Sequence, residues 1–237
     1  MKVLLISAFR NSSPMHVRRW FDQVFLLSQW RGIDLHTIAI EGDSRDDSTR
    51  RYLEEGQRCL HPITIAHFSH GGPHFGSIVD TQRFEQLSKV GDFWLRCVAD
   101  SLYADVAVFV ESDLIWDPGT MADLALKVLE TCHPFDVIAP AVFAGGCFYD
   151  VWGFRGLDGA QFAPFFPYHS SLSSVASLPP GYPVEVSSVG SCVALTPALA
   201  RAVPSMSGGA FVGWCANVRA AGYRIAIAPS LRIHHPA

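Results

Sequence analysis

Short apolar runs alternate with longer amphipathic stretches along most of this chain, and no other feature restricts its fold so strongly. Three early runs have the length of β-strands, namely residues 2–9, 33–42 and 62–69. The stretch 13–30 repeats apolar residues at helical spacing, with Ser13 as the N-cap and Pro14 at the first helical position. Strands that alternate with helices are typical of an α/β domain with a mostly parallel central sheet flanked by helices.

The same alternation continues to the end of the chain, so we predict a single domain over residues 1–237. The later predicted elements are a helix at 80–102, a strand at 105–113, a helix at 118–132, a strand at 135–143, a strand pair at 184–197, a helix at 209–222 and a strand at 223–229. The segment 144–183 is rich in Gly, Pro, Ser and aromatic residues without a clear period. A loop of this length is typical of a lid or a binding loop.

Composition argues against several functional classes. The 237 residues are 49% hydrophobic and only 17% charged, which is a globular and not a disordered composition. A formal net charge of -4 argues against broad electrostatic binding to nucleic acid or acidic lipid. The first apolar run is too short to span a membrane and lacks a small-residue cleavage site. We therefore expect a cytoplasmic protein without a membrane segment, in which the six scattered cysteines are reduced thiols.

Two carboxylates leave the predicted strand at 105–113 together. Glu111 and Asp113 are two positions apart, so their side chains point to the same side of an extended chain. Ligands of open α/β sheets bind beyond the carboxyl ends of the strands. Paired carboxylates there suit a divalent cation that keeps positions for water and phosphate oxygens. The competing interpretation is an exposed turn with an aspartate cap before Pro118.

A second acidic strand end follows the run at 33–42. Glu41 and Asp43 could accept hydrogen bonds from a nucleobase or a ribose, while Ser48 and Thr49 could cap the next helix. By itself this segment is better explained as a solvated acidic turn. Together with the carboxylates at the end of 105–113, it favours a ligand-binding cleft.

Several motifs resemble those of GT-A type nucleotide-sugar glycosyltransferases. The segment EGDSRDDST at 41–49 resembles the segment that holds the base and ribose in these enzymes, and ESD at 111–113 occupies the place of their metal-binding DxD motif. The order of motifs is most similar to that of the fungal mannan-polymerase and capsule-associated mannosyltransferases. The resemblance implies a single GT-A domain, with residues 1–113 as the nucleotide-binding half and 114–237 as the acceptor half.

The resemblance also implies roles for individual residues. Glu111 and Asp113 would hold Mn²⁺ or Mg²⁺ against the diphosphate of a UDP- or GDP-sugar, and His234 or His235 would complete the metal shell, which favours Mn²⁺. The residues assigned to the nucleotide sugar are Arg10, Glu41, Asp43, Arg83, Lys89, Ser112, Gly190 and Ser191. The competing interpretation is a solvated charge for each basic residue and a tight hairpin for the glycine.

The chain departs from the family at the catalytic base. Inverting relatives carry a carboxylate just before the last helix, and the fungal mannosyltransferases have a glutamate there, but the segment around Val212 has none. This departure favours a retaining mechanism in which the leaving diphosphate deprotonates the acceptor, or a carboxylate of the long segment such as Asp150 or Asp158 does so. The alternative function is a domain that binds a nucleotide sugar or glycan without turnover.

Two questions stay open at the level of sequence. The acceptor could be a glycan or a hydroxylated base in DNA, because the aromatic residues at 162–169 could stack on either. Four histidines, His61, His67, His70 and His74, could include three zinc ligands. No cysteine has the accompanying spacing, so a mobile turn near the cleft explains these histidines better.

Overall fold

The computed structural model describes residues 1–59, 63–73, 75, 80–173 and 181–236. Its strands are β1 (Lys2–Phe9), β2 (Asp34–Glu41), β3 (Ile63–His67), β4 (Val106–Val110), β5 (Val137–Ala144), β6 (Cys147–Phe148), β7 (Val184–Val186), β8 (Cys192–Leu195) and β9 (Ile225–His234). Its helices are α1 (Pro14–Ser28), α2 (Ser48–Cys59), α3 (Thr81–Ala99), α4 (Pro118–Leu129), α5 (Ser170–Ser173), α6 (Pro197–Ala202) and α7 (Ala210–Ala220). Each strand and helix expected from the hydrophobic pattern has a counterpart, whereas the short elements β6, α5 and α6 were not predicted.

One sheet contains the nine strands of the described residues, in the order β3-β2-β1-β4-β8-β5-β9-β7 with β6 beside β5. The pairs β1–β2, β1–β4, β2–β3 and β5–β9 are parallel. Strand β8 is antiparallel to both β4 and β5, so β4 and β5 point the same way. The sheet is therefore mostly parallel, as predicted, and the carboxyl ends of β1 to β5 and β9 lie at one edge.

The predicted strand pair at 184–197 is wrong in its pairing. Strand β7 pairs with β9, whereas β8 is inserted between β4 and β5. All four residues of β8 are buried, and a strand covered on both faces belongs in the middle of a sheet. The insertion matters for the site because the backbone N–H of Glu111, just after β4, donates to the carbonyl of Ser191, just before β8, at 2.9 Å.

The helices flank the sheet in two groups. Helix α1 contacts α2 and α4, and α3 contacts α6 and α7. Buried tryptophans anchor both groups. Trp20 of α1 donates its indole N–H to Ser7 of β1 at 2.9 Å, and Trp94 of α3 packs edge-on against Trp214 of α7 with ring centroids 6.0 Å apart. As predicted, Ser13 caps α1 and Pro14 begins it.

The described part of the segment 144–183 is folded against the domain. Phe148, Phe154 and Phe162 are buried and pack together. The backbone N–H of Arg155 donates to the carbonyl of Ser188 at 3.1 Å. Residues 174–180, which belong to the predicted lid, lie outside the described residues.

Candidate functional site

A cleft of about 450 Å³ opens at the carboxyl ends of β1, β2 and β4, and we call it the first cleft. Each of these strands is followed by a polar side chain that lines it: Arg10 after β1, Asp43 after β2, and Ser112 and Asp113 after β4. Arg83 reaches the same cleft from α3. The structure thus brings together residues that are up to 103 positions apart in the sequence.

A second cleft, of about 300 Å³, lies beside the first and shares Arg83 and Glu111 with it. Asp150 and Ser191 line this second cleft together with Trp152. The Trp152 ring stacks on Phe84 with centroids 4.4 Å apart and an interplanar angle of 11°. An aromatic face beside carboxylates can bind a sugar, because the ring covers the apolar face of the sugar while the carboxylates accept its hydroxyl protons.

Glu111 lies in the wall between the two clefts, and its side chain is only partly exposed. Its pKa is raised well above the ordinary value of a glutamate. The main cause is desolvation by the surrounding protein, followed by the nearby charges of Asp113 and Asp150, while Arg83 opposes the shift. In these surroundings the negative charge of the carboxylate is unfavourable, so either a proton or a bound cation would stabilise it.

Asp113 presents two different oxygens. Its Oδ2 is 3.2 Å from Nε2 of His235. Its Oδ1 is buried and has no hydrogen-bond partner within the part of the chain that the structure describes. A buried acceptor without a donor costs free energy unless a cation satisfies it. Asp117, and not Asp113, caps α4, so capping does not account for the carboxylates at 111 and 113.

The two C-terminal histidines have different surroundings. His235 faces Asp113 and stacks on Tyr149, with ring centroids 4.0 Å apart and an interplanar angle of 15°. His234 is exposed and lies near the ring of Phe143, at 6.5 Å between centroids. Desolvation and the carboxylates of both clefts raise the pKa of Tyr149 to about 12, so its hydroxyl stays a neutral donor. The structure therefore brings His235, and not His234, to the predicted metal ligands.

Helix α1 holds the turn that carries these ligands. Arg19 donates to the carbonyl of Asp113 at 2.8 Å, and Gln23 donates to the carbonyl of Leu114 at 3.3 Å. His16, on the first turn of α1, lines the first cleft, and burial lowers its pKa. Neither His16 nor Tyr149 was identified from the sequence. For Tyr149, its position next to the predicted catalytic residue Asp150 in the sequence could have indicated a place in the site.

Asp43 lines the first cleft, but neighbouring residues already use its oxygens. It accepts hydrogen bonds from the Ser69 hydroxyl at 2.5 Å and from the backbone N–H groups of His70 and Gly71 at 2.8 and 3.1 Å. Burial acts to raise its pKa, yet these hydrogen bonds outweigh burial and lower it. Asp43 therefore holds the segment after β3 in place. A hydrogen bond from a nucleotide to Asp43 would add to the three hydrogen bonds that its carboxylate already accepts.

Asp150 is held in one orientation at the second cleft. Its Oδ2 accepts from the Ser191 hydroxyl at 2.6 Å, and its Oδ1 accepts from the backbone N–H of Gly153 at 3.0 Å. A Cβ atom at Gly190 would overlap the Asp150 carboxylate, so this side chain explains why position 190 is a glycine. Desolvation raises the pKa of Asp150 despite its hydrogen bonds.

Three further predicted residues line neither of the two clefts. Glu41 is buried at the end of β2, with Oε2 3.5 Å from Nδ1 of His67. Lys89 is exposed on α3. Asp158 is exposed, and its Oδ1 is 3.2 Å from Nε2 of His169.

The histidines considered for zinc do not form a common site in the described residues. His61 and His74 lie outside those residues. His67 faces Glu41, and Nε2 of His70 is 3.3 Å from Oδ2 of Asp43. Each of these two histidines is therefore paired with a different carboxylate.

The fold has several counterparts among solved structures. GalNAc-T7 with UDP, GalNAc and Mn²⁺ superposes with a TM-score of 0.66 and 12% identity over 100% of this chain and 44% of that one. A mannosyltransferase from Pyrobaculum calidifontis in complex with GDP-Man and Mn²⁺ superposes with a TM-score of 0.57 and 15% identity, over 98% of this chain and 56% of that one. A mycobacterial protein gives a TM-score of 0.54 and 16% identity, over 99% of this chain and 67% of that one.

These superpositions show that the chain has the GT-A fold, as predicted. It spans about half the length of the first two structures, 44% and 56%. No family model and no curated protein matches the chain, so the likeness to the fungal mannosyltransferases is not confirmed. None of the helices in the described residues has the length and hydropathy needed to cross a membrane.

Proposed function

We propose that this domain transfers a sugar from a UDP- or GDP-sugar to a hydroxyl group with the help of Mn²⁺ or Mg²⁺. The observation that carries the proposal is the arrangement of Asp113 beside His235 and of Glu111 between two clefts that share Arg83. The first cleft would hold the nucleotide diphosphate, and the second would hold the sugar and the acceptor. Two structures of the same fold contain Mn²⁺, which supports a divalent cation here.

The chemistry of these residues fits a divalent cation. Asp113 offers an oxygen that has no donor among the described residues, and Glu111 has a pKa raised by desolvation and by neighbouring carboxylates. His235 adds an imidazole nitrogen, which suits Mn²⁺ better than Mg²⁺. The bound ion would offset the negative charge that develops on the leaving diphosphate. Arg10 and Arg83, which line the first cleft, would contact the phosphates.

For the stereochemistry we propose retention at the anomeric carbon. The start of α7 lines both clefts, through Ala210 and Phe211, and no carboxylate lies between 205 and 220. Without a base there, the proton of the acceptor hydroxyl would pass to an oxygen of the leaving diphosphate. Asp150 borders the second cleft, where its charge would stabilise positive charge at the anomeric carbon. This position makes Asp150 a better candidate for a catalytic residue than Asp158, which lines neither cleft.

We propose a glycan as the acceptor, with a hydroxylated base in DNA as the alternative. The stacked pair Phe84 and Trp152 would cover one face of an acceptor sugar. The carboxylates of Glu111 and Asp150 border the same cleft. Negative charge at this position disfavours a polyanionic acceptor such as DNA, whose affinity depends on neutralised phosphates.

The test is a thermal-shift screen against UDP-, GDP-, ADP- and CMP-sugars, with and without Mn²⁺ or Mg²⁺, followed by NMR analysis of the product. A ligand that binds the native state raises the melting temperature, so one donor should stabilise the protein only when the cation is present. The resemblance to fungal mannosyltransferases makes GDP-mannose the first donor to test. Binding without any transfer to a panel of glycans would favour the non-catalytic alternative, and an inverted product would refute retention.

A further inference from the structure

A separate group of possible metal ligands lies at the far end of α4. In the described residues, three ligand atoms come within 4.8 Å of one another at Glu130, Cys132 and His133. Helix α4 begins five positions after Asp113, which lines the first cleft, and has 12 residues, so its two ends are about 18 Å apart. None of the three residues lines either cleft.

Two of the three distances within this group are close to those of a tetrahedral metal site. Nε2 of His133 is 3.2 Å from Oε2 of Glu130, and Sγ of Cys132 is 3.7 Å from the same oxygen. Zinc bonds of about 2.1 Å to oxygen and nitrogen and about 2.3 Å to sulfur would separate these atoms by about 3.4 and 3.6 Å. The third pair, Sγ of Cys132 and Nε2 of His133, lies within 4.8 Å, so a cation can contact all three atoms once this pair is about 3.6 Å apart.

Packing holds the imidazole in place before any metal arrives. The side chain of His133 is only 1% exposed, and its ring contacts the rings of Phe135 and Tyr182, at centroid distances of 5.6 and 5.9 Å. Its Nε2 faces Glu130, whereas its buried Nδ1 has no hydrogen-bond partner among the residues described by the structure. Nε2 is therefore the ring nitrogen that a cation beside Glu130 can reach.

The other two side chains give a cation access from solvent. Glu130 has a side chain that is 44% exposed, and Cys132 is exposed. The backbone of Glu130 is fixed, because its N–H bonds to the carbonyl oxygens of Leu126 and Lys127 at the end of α4. An accessible carboxylate and an accessible thiol thus lie beside the buried imidazole.

We propose that Glu130, Cys132 and His133 bind Zn²⁺, with water at the fourth position. A thiolate, an imidazole and a carboxylate form the mixed sulfur, nitrogen and oxygen ligand set that zinc accepts, whereas Mg²⁺ and Ca²⁺ require oxygen ligands. On binding, the thiol of Cys132 loses one proton to solvent, and His133 coordinates as neutral imidazole through Nε2. The site is independent of the proposed sugar transfer.

The experiment is a titration of the full chain with Co²⁺, which replaces Zn²⁺ and gives a thiolate-to-cobalt charge-transfer band only when a cysteine coordinates it. We expect one equivalent of Co²⁺ to produce this band and Zn²⁺ to remove it. Cys132→Ser should abolish the band. Glu130→Gln, which changes an exposed side chain and keeps the fold, should weaken Co²⁺ binding at least about tenfold.

Matched controls separate this site from other thiols and from the clefts. Cys97→Ser and Cys147→Ser alter free, partly exposed cysteines elsewhere and should leave the band unchanged. Asp113→Asn should also leave it unchanged, so failure of the sugar-transfer proposal would not affect this result. Absence of the band in the wild-type protein, or its persistence in Cys132→Ser, would overturn the zinc assignment.

Discussion

Replacement of Asp113 by Asn should remove most of the stabilisation that a nucleotide sugar and Mn²⁺ give the protein together. The substitution keeps the shape of the side chain and removes its negative charge. It therefore leaves one neutral carbonyl oxygen in place of two charged oxygens, the Oδ1 that has no donor in the described residues and the Oδ2 that faces His235. A cation would lose a charged ligand, while the packing around the turn would be preserved.

The expected size of the effect follows from the length of the chain. At a ligand concentration one hundred times Kd, binding stabilises the native state by about 2.7 kcal/mol. For 237 residues, the entropy of unfolding is roughly 0.5 kcal/mol per kelvin, so the melting temperature should rise by about 5 °C. If the substitution weakens affinity about a hundredfold, about 0.4 kcal/mol remains, and the shift falls to about 1 °C.

The assay is thermal unfolding of the wild type and the variant, each with the donor alone, Mn²⁺ alone and both together. Asp123→Asn is the matched control, because it neutralises an exposed carboxylate on α4 that lines neither cleft. The control should keep the full shift. An Asp113→Asn variant that is stabilised as strongly as the wild type would refute the assignment of Asp113 as a metal ligand.

Three other substitutions test the surroundings of this residue. Glu111→Gln should stabilise the cation-free protein near neutral pH, because Gln carries no charge at this desolvated position. In the wild type, the stability that protonated Glu111 contributes is complete below the pKa of Glu111 in the unfolded chain. This contribution is lost as the pH rises through the raised pKa of Glu111 in the folded protein. Urea unfolding between pH 4 and 8 would therefore show a steeper loss for the wild type. Tyr149→Leu removes the stack on His235 and should weaken Mn²⁺ binding measured by calorimetry at least about tenfold, whereas Tyr149→Phe should not; equal affinities would contradict this. Gly190→Ala should displace Asp150 and reduce transfer more than donor binding, and unchanged kinetics would argue against a role for Asp150.

Much of the fold was predictable because its signals are local. The spacing of apolar residues in 13–30 requires nothing beyond α1 itself, and Ser13 caps that helix through a neighbouring N–H. The place of β8 was not predictable in this way. Its partners β4 and β5 are distant in sequence, so only the burial of both its faces in the assembled sheet selects them.

The site shows the same division. Glu111 and Asp113 were predicted as a pair, since alternate residues of an extended chain share a side. The choice between His234 and His235 depends on the register of β9 against β5, which shifts between Pro140 and Ala141. A register shift of one residue exchanges the two faces of a strand, and no local pattern encodes it.

The sequence by itself determined the order of the main strands and helices along the chain, because hydrophobic periodicity acts over a few residues. It also determined that β2 and β4 are followed by acidic residues. Only the tertiary structure decided that His235 faces Asp113, that Ser69 uses the carboxylate of Asp43, and that Asp150 fits against Gly190. These contacts join segments that are 26 to 122 residues apart. They exist because the sheet brings the carboxyl ends of its parallel strands to one edge.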